Sequence, residues 1–404
     1  MIWRRDIPFY ENEFFDILKM VYSEILNEKI DYVKLFEERF AEYVGTDYAI
    51  STPSGRFGML AILKALNLKK NDEIIFPAYT LKDLIVLVKE LGLKPVLVDI
   101  DGSTLTLDPE KLEESINRKT KVIVATHIFG LPCNMKKIKK IADSYGIYLI
   151  EDCCHAHGAE FKGKKVGSIG DAGFFSFNKI KLINTFDGGI VTTNNERIAS
   201  YVKKETDKLI RNISSAISKF FMAFSEYYTL KLAFSNFLFP VFYSKRMRSL
   251  FNNLYKRLAS KNTSKCKYSN IQAFVGLKQL EILEEKIRKR NRKAKTLIKH
   301  LSKKVFVQKA NYPVRHSYFY FVARTKINSE IIRKKLLRHG IDVGVRDEIM
   351  NDCTLILKNF YNSSPITHQI YRTAIQIPFS EKIPDRILIK IAKAINNIVE
   401  YDDL

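Results

Sequence analysis

IEDCCHAHGAEFKGKKVGSIGDAGFFSFNKIKLINTFDGG, residues 150–189, is the stretch whose reading decides the fold. It begins on the last residues of an apolar, β-rich run, Tyr148–Glu151, so the Asp152 carboxylate falls at the carboxyl end of a strand. A second run, Gly173–Phe177, carries Ser176, and Lys181 follows five residues later in a short connection. A third run, Gly189–Thr192, resumes immediately after it. A buried carboxylate and a lysine at neighbouring strand ends suit pyridoxal 5'-phosphate (PLP). The lysine would bond the aldehyde carbon, and the carboxylate would keep the ring nitrogen protonated so that the ring accepts electrons. Ser176 is placed to hydrogen-bond the phosphate. A helix-capping Asp and a surface Lys would give the same spacing, so the surrounding chain has to decide.

Outward from this stretch the alternation continues. Tyr48–Ser51, Glu73–Phe76, Pro95–Asp99 and Lys121–Ala125 are further strand-like runs, giving seven in all. Amphipathic segments such as Gly58–Leu66 and Met135–Tyr145 lie between them. This predicts an α/β fold with a mostly parallel seven-stranded sheet in a three-layer αβα arrangement. Ligands of such sheets sit beyond the carboxyl ends of the strands. One of those ends leads into Ser51-Thr-Pro-Ser-Gly-Arg56, whose small residues open a helix toward an anion, with Gly55 and Arg56 as candidate phosphate contacts. Plain N-capping is the alternative use of this turn. It is not a GxxxxGK[ST] loop, and no GxGxxG follows a strand, which argues against ATP and nicotinamide cofactors.

The chain has 404 residues, 46% apolar and 27% charged, enough for a large core in two or three domains and incompatible with global disorder. Lys and Arg number 67 against 44 acids, a formal charge of +23 that favours anionic partners without choosing among them. Cys133, Cys153, Cys154, Cys266 and Cys353 form no CxxC pair, and Cys153 and Cys154 read as small core residues. His300, His316, His339 and His368 lack metal-ligand spacing, so no metal is expected. No stretch reaches the roughly 20 apolar residues that span a bilayer, and no leader pattern opens the chain, which reads as cytoplasmic.

The order of motifs resembles the DegT/DnrJ/StrS-type sugar-nucleotide aminotransferases, PLP enzymes of the aspartate-aminotransferase fold. The matching segments include Lys34–Ile50, PSGR at 53–56, DEIIFPAYT at 72–80, HIFGLPCNM at 127–135, residues 150–189 and SNIQAFVGLKQLEIL at 269–283. The resemblance implies that Lys181 is the Schiff-base lysine and Asp152 the partner of the ring nitrogen. It places His155 near the phenolic oxygen, and Ser176, Gly55 and Arg56 at the phosphate. Related sugar 3-dehydratases carry His where Lys181 stands, so the lysine favours transamination. The implied reaction moves an amino group from glutamate to a keto-sugar, nucleotide-linked as in the family, with no nucleic-acid partner. Alternatives are a same-fold enzyme on another, even lipid-linked, substrate, or a non-catalytic regulatory relative. A homodimer with shared sites is also implied. The segment that crosses to the neighbouring subunit, Asn-x-Arg-Met in the family, reads Lys265-Cys-Lys-Tyr268 here, leaving Lys265 as a candidate cofactor contact. Leu81 stands where the family often stacks an aromatic ring on the cofactor. His127 and His157 match family positions near strand ends and read as hydrogen-bonded structural histidines.

Residues 1–290 are read as an N-terminal segment and large domain, and residues 291–404 as a small α+β domain containing strand-like Ser317–Arg324 and a closing helix after Pro384. Ile271–Leu301 reads as one long helix, and the basic run Glu284–Lys304 as a solvated face. The insertion at 206–264 holds twelve Phe/Tyr and ten Lys/Arg against two acids. That composition suits a peripheral segment at the inner membrane surface, with Phe220, Phe221, Phe237 and Phe239 entering the interface. The alternative use of its apolar face is to cover the dimer interface or roof the active site.

Overall fold

All seven strand-like runs join one sheet: β1 (Tyr48–Thr52), β2 (Glu73–Pro77), β3 (Lys94–Val98), β4 (Thr120–Thr126), β5 (Tyr148–Asp152), β6 (Ala172–Ser176) and β7 (Gly189–Thr193). The structure, a computed structural model, describes residues 2–4, 9, 13–25, 30–231, 266–355 and 364–401. The strand order is β1-β7-β6-β5-β4-β2-β3. Only β7 runs antiparallel to its neighbours; the remaining pairs are parallel. Parallel neighbours need a long crossover, usually helical. The connection from β6 to β7 contains no helix, so the chain turns back on itself there. That connection carries Lys181.

Period-two alternation sends the two faces of each strand into different cores. Val122, Val124 and Ile150 enter one apolar cluster with Met59 and Ile62 of α3 (Gly55–Ala65) and Ile198 and Val202 of α6 (Glu196–Asp207). Ile123, Ala125 and Leu149 enter another with Ile138 and Ala142 of α5 (Met135–Tyr145). This is the three-layer arrangement the sequence predicts. Among the helices that precede or interleave these are α1 (Glu13–Ile25), α2 (Tyr32–Val44) and α4 (Lys82–Glu90).

The expected long helix is two: α8 (Asn270–Glu281) and α9 (Leu283–His300), broken at Ile282. Leu283 and Ile287 pack into the apolar cluster that holds Phe36 and Phe175. Ala294 and Leu297, further along α9, pack into the core of the C-terminal unit. That unit contains a four-stranded sheet, β8 (Phe306–Val307), β9 (Phe321–Arg324), β10 (Gly344–Val345) and β11 (Ala374–Ile377), in the order β8-β9-β11-β10. Helices α10 (Ser329–Arg338) and α11 (Asp385–Tyr401) cover it. Ile2 joins this unit too, through bonds to Gly340 O (2.8 Å) and from Asp342 N (3.0 Å).

Three further readings need correction. The strand expected over Ser317–Arg324 occupies only Phe321–Arg324, because Tyr318 takes a left-handed conformation (φ +50°) that no strand accommodates. The basic run of α9 is not simply solvated, since Lys286, Arg290 and Lys293 are buried on its inner face. Of the insertion, the described part forms α7 (Ile213–Lys231), while Phe237 and Phe239 lie outside the described residues. Phe220 is 1% exposed and packs against Phe186, Phe14 and Phe224, so it belongs to the interior rather than to a docking face. Phe221 is exposed.

Candidate active site

Asp152 ends β5, where hydrogen bonding to β4 and β6 on either side fixes its register. The side chain is buried, and its Oδ1 accepts the Cys154 backbone N–H (3.1 Å). Burial pushes the Asp152 carboxyl up, opposed by the Cys154 N–H and by the Lys181 ammonium. Lys181 is also buried, with Nζ 4.5 Å from the centre of the Phe319 ring. Burial lowers its pKa against the attraction of Cys154 and Asp152. Among the described residues no carboxylate lies within ion-pair distance of Nζ. A lysine held in this way is readily neutralised, which is the form that attacks a carbonyl carbon.

The Lys181 loop folds under constraint at both ends. Gly188 has φ +111°, and a Cβ there would lie 2.3 Å from the Tyr268 ring, so neither the backbone nor the packing admits another residue. Tyr268 itself donates to Thr185 Oγ1 (2.9 Å) within this same chain. On the outer side, α7 ties down the loop through Lys219–Asp187 (2.9 Å) and a contact between Lys179 and Glu226.

His155 lies between two rings, 4.5 Å from Phe319 and 5.9 Å from Phe129, both stacked. Its Nδ1 accepts the Phe129 N–H (3.4 Å), which places a proton on Nε2. Burial, Lys181 and His157 hold its pKa well below the usual range, so the ring is a neutral donor. The N-terminus of α3 approaches Ser176 so closely that a Cβ on Gly55 would lie 3.2 Å from Ser176 Cβ and 3.0 Å from Cys154 Sγ. Ser54 Oγ caps Phe57 N (3.2 Å), while the Gly55 and Arg56 N–H groups sit in the first turn, where a helix offers them no acceptor. The Arg56 guanidinium pairs with Asp83 of α4 at 2.8 Å. Both partners are exposed, so the pair is worth less than about 1 kcal/mol and does not bind the arm in place.

The structure therefore brings Asp152, Lys181, His155, Ser176, Gly55 and Arg56 to one end of the sheet. Lys265 lies outside the described residues. Leu81, 41% exposed, precedes α4, and Tyr79 beside it is fully buried with its ring edge-on to Phe129. His127 is internal: Nε2 lies 3.0 Å from Glu151, and Nδ1 accepts Cys133 N (3.0 Å). Cys153 brings a third ligand-type atom to that pair, all within 4.8 Å. Glu151 is already occupied by the Ile169 and Gly170 N–H groups, which makes the cluster a structural network. His157 is buried, with its pKa pushed down to about 3 by burial, and Nδ1 accepts Ile183 N (3.4 Å). Sequence reading missed Phe319 and the half-buried Cys154. The aromatic run at 318–321 was the available signal, but Phe319 lies in irregular backbone where period-two reasoning fails.

A buried amine with no carboxylate at ion-pair distance among the described residues, a buried carboxyl, a neutral imidazole donor and the first N–H groups of a helix match the charge pattern of PLP: aldehyde, ring nitrogen, phenolic oxygen and phosphate. The fold and site define a PLP-dependent aminotransferase. The chain belongs to the DegT/DnrJ/EryC1/StrS aminotransferase family, whose profile matches residues 10–396. It is 28% identical to the GDP-perosamine synthase of Escherichia coli O157:H7, over 98% of this chain and 95% of that one. It is also 28% identical to the dTDP-3-amino-3,6-dideoxy-alpha-D-galactopyranose transaminase of Aneurinibacillus thermoaerophilus, over 89% of this chain and 88% of that one. The fold matches the aminotransferase from Psychrobacter cryohalolentis with a TM-score of 0.77 at 22% identity, over 97% of both chains.

Proposed function

We propose that this aminotransferase moves an amino group from glutamate to a keto-sugar carried on a nucleoside diphosphate, with Lys181 and Asp152 as its catalytic residues. The observation that carries the assignment is the buried Lys181 amine, seated over Phe319 with no carboxylate partner among the described residues, at the same sheet end as buried Asp152. When bound, PLP supplies the electron sink that lets a bond at the substrate's α-carbon break. Lys181 would hold the cofactor, and its amine would move a proton to and from that carbon. Asp152 would keep the ring nitrogen charged. His155 would donate Nε2–H to the phenolic oxygen, and the Gly55 and Arg56 N–H groups with Ser176 would take the phosphate. The relatives named above, which act on GDP- and dTDP-sugars, support the substrate class.

Borohydride reduction and peptide mapping test the lysine: the pyridoxyl mass should fall on Lys181, and label on Lys179 would overturn the assignment. Glutamate with a panel of nucleotide-linked keto-sugars tests the substrate, and amination of none of them would overturn that part. The reading includes a homodimer with shared sites, in which Lys265 reaches the neighbour's cofactor. An active monomer in sedimentation would refute it.

A further inference from the structure

The irregular loop from Phe177 to Gly188 cannot satisfy its own backbone. Phe177 N–H bonds Gly188 O (2.9 Å), Lys181 N–H bonds Asn178 O (2.8 Å), Thr185 N–H bonds Phe177 O (3.0 Å) and Thr185 Oγ1 bonds Asp187 O (2.6 Å), but these bonds leave the carbonyls of Leu182 and Asn184 to partners outside the loop. Side chains from behind take them up. Lys286 Nζ donates to Leu182 O (2.8 Å). Gln279 grips the Asn184 peptide twice: its Oε1 accepts Asn184 N–H (2.9 Å) and its Nε2 donates to Asn184 O (3.0 Å). Gln272 Nε2 donates to Asp187 O (3.0 Å) and Thr185 O (3.3 Å). These three side chains are spaced seven apart, two helical turns each, and so fall on one stripe of α8 and α9 despite the break at Ile282. All three are buried. One turn further along, Arg290 donates to Tyr318 O (2.8 Å) and Phe319 O (3.0 Å), fixing the ring under the Lys181 amine.

We infer that Lys286 and Gln279 are positioning residues of the transamination, a rail that sets where the Lys181 amine stands above Phe319. The inference rests on Lys181 being the cofactor lysine. A buried ammonium spent on one backbone carbonyl is a poor way to stabilise a fold, since an apolar side chain of similar volume is often as good or better there. Its use is directional: it holds one loop carbonyl in one place.

Lys286→Met separates position from stability. The melting temperature should stay within a few degrees of wild type, while kcat falls about tenfold or more and PLP dissociates several-fold faster. KM for glutamate should hold within about twofold. In the cofactor-free protein, brief acetylation with peptide mapping should label Lys181 several-fold faster or slower than in wild type. Lys286→Arg, which keeps the donor, should restore most of the rate. Lys293→Met is the control: Lys293 lies on the same stripe but bonds Asp385 (2.6 Å) rather than the loop, so kcat should stay within about twofold. If Lys286→Met fails to fold, Gln279→Met gives the same readings. Unchanged kcat and unchanged Lys181 acetylation would overturn the inference, as would an equal kcat loss in Lys293→Met. The acetylation arm reads the loop even if borohydride places the cofactor on another lysine, so failure of that assignment is distinguishable from failure of the rail.

Discussion

Asp152 and Lys181 meet at the same sheet end but arrive there by opposite means. Asp152 is the last residue of a strand with hydrogen-bonded neighbours on both sides, Thr126 and Phe174 opposite it in register. Its position follows from alternation along a five-residue run. Lys181 sits in a connection without regular structure, and the residues that hold that connection come from much later in the chain, Lys286 standing 104 positions after Leu182. A carboxylate that belongs to the sheet tolerates loss of its charge without moving. An amine on a tethered loop depends on each tether.

Lys181→Ala is the largest break in this comparison. Turnover should fall about 10⁴-fold, the upper range for a residue that moves a proton, while circular dichroism and melting stay near wild type because a buried cation is removed. Asp152→Asn should cost about 10³-fold in kcat, or roughly 4 kcal/mol. Its side-chain oxygen still accepts Cys154 N–H, so thermal melting should hardly change. A fall in stability as large as the fall in rate would remove the distinction between strand and loop.

The outer tether gives a stability effect of similar size. Truncating a buried Phe costs about 4 kcal/mol, so Phe220→Ala should destabilise the protein by that order in denaturant titration and loosen the loop at Phe186. Phe221→Ala, one residue along and exposed, should change stability by less than about 0.5 kcal/mol. Equal effects would mean that α7 does not pack as described.

The smallest effect is a pH signature of the rail. Burial lowers the Lys286 pKa to about 8, below its ordinary 10.5. Between those values the unfolded chain binds more protons than the folded one, so the Lys286 contribution makes stability rise with pH across that window and stay flat below it. The rise should amount to roughly 3 kcal/mol. It should be absent from Lys286→Met and therefore appear in full in the difference between wild type and variant, and a difference that does not vary over pH 8 to 10.5 would show that Lys286 is not buried as a cation.

Much of the site was readable before the fold. Residues 150–181 contain Asp152, His155, Ser176 and Lys181, and the turn at Gly55 follows a strand-like run. Lys286, Arg290 and Lys293 were not readable as buried residues, because a basic run on a helix is ordinarily solvated. Only the approach of the Lys181 loop and of the 318–319 backbone gives those cations carbonyls to bond. Phe220 shows the same limit: aromatic composition does not say which face of a helix meets α1 and the loop at Phe186.

The sequence by itself determined the seven strands, their mostly parallel arrangement and the placing of Asp152 at a strand end. These depend on short-range alternation and on the rule that parallel strands need long crossovers. Tertiary structure alone decided where the Lys181 amine stands. The Phe177–Gly188 connection forms no repeating ladder, its unpaired carbonyls must find donors before they can be buried, and those donors lie on helices that reach the loop only when the chain is folded.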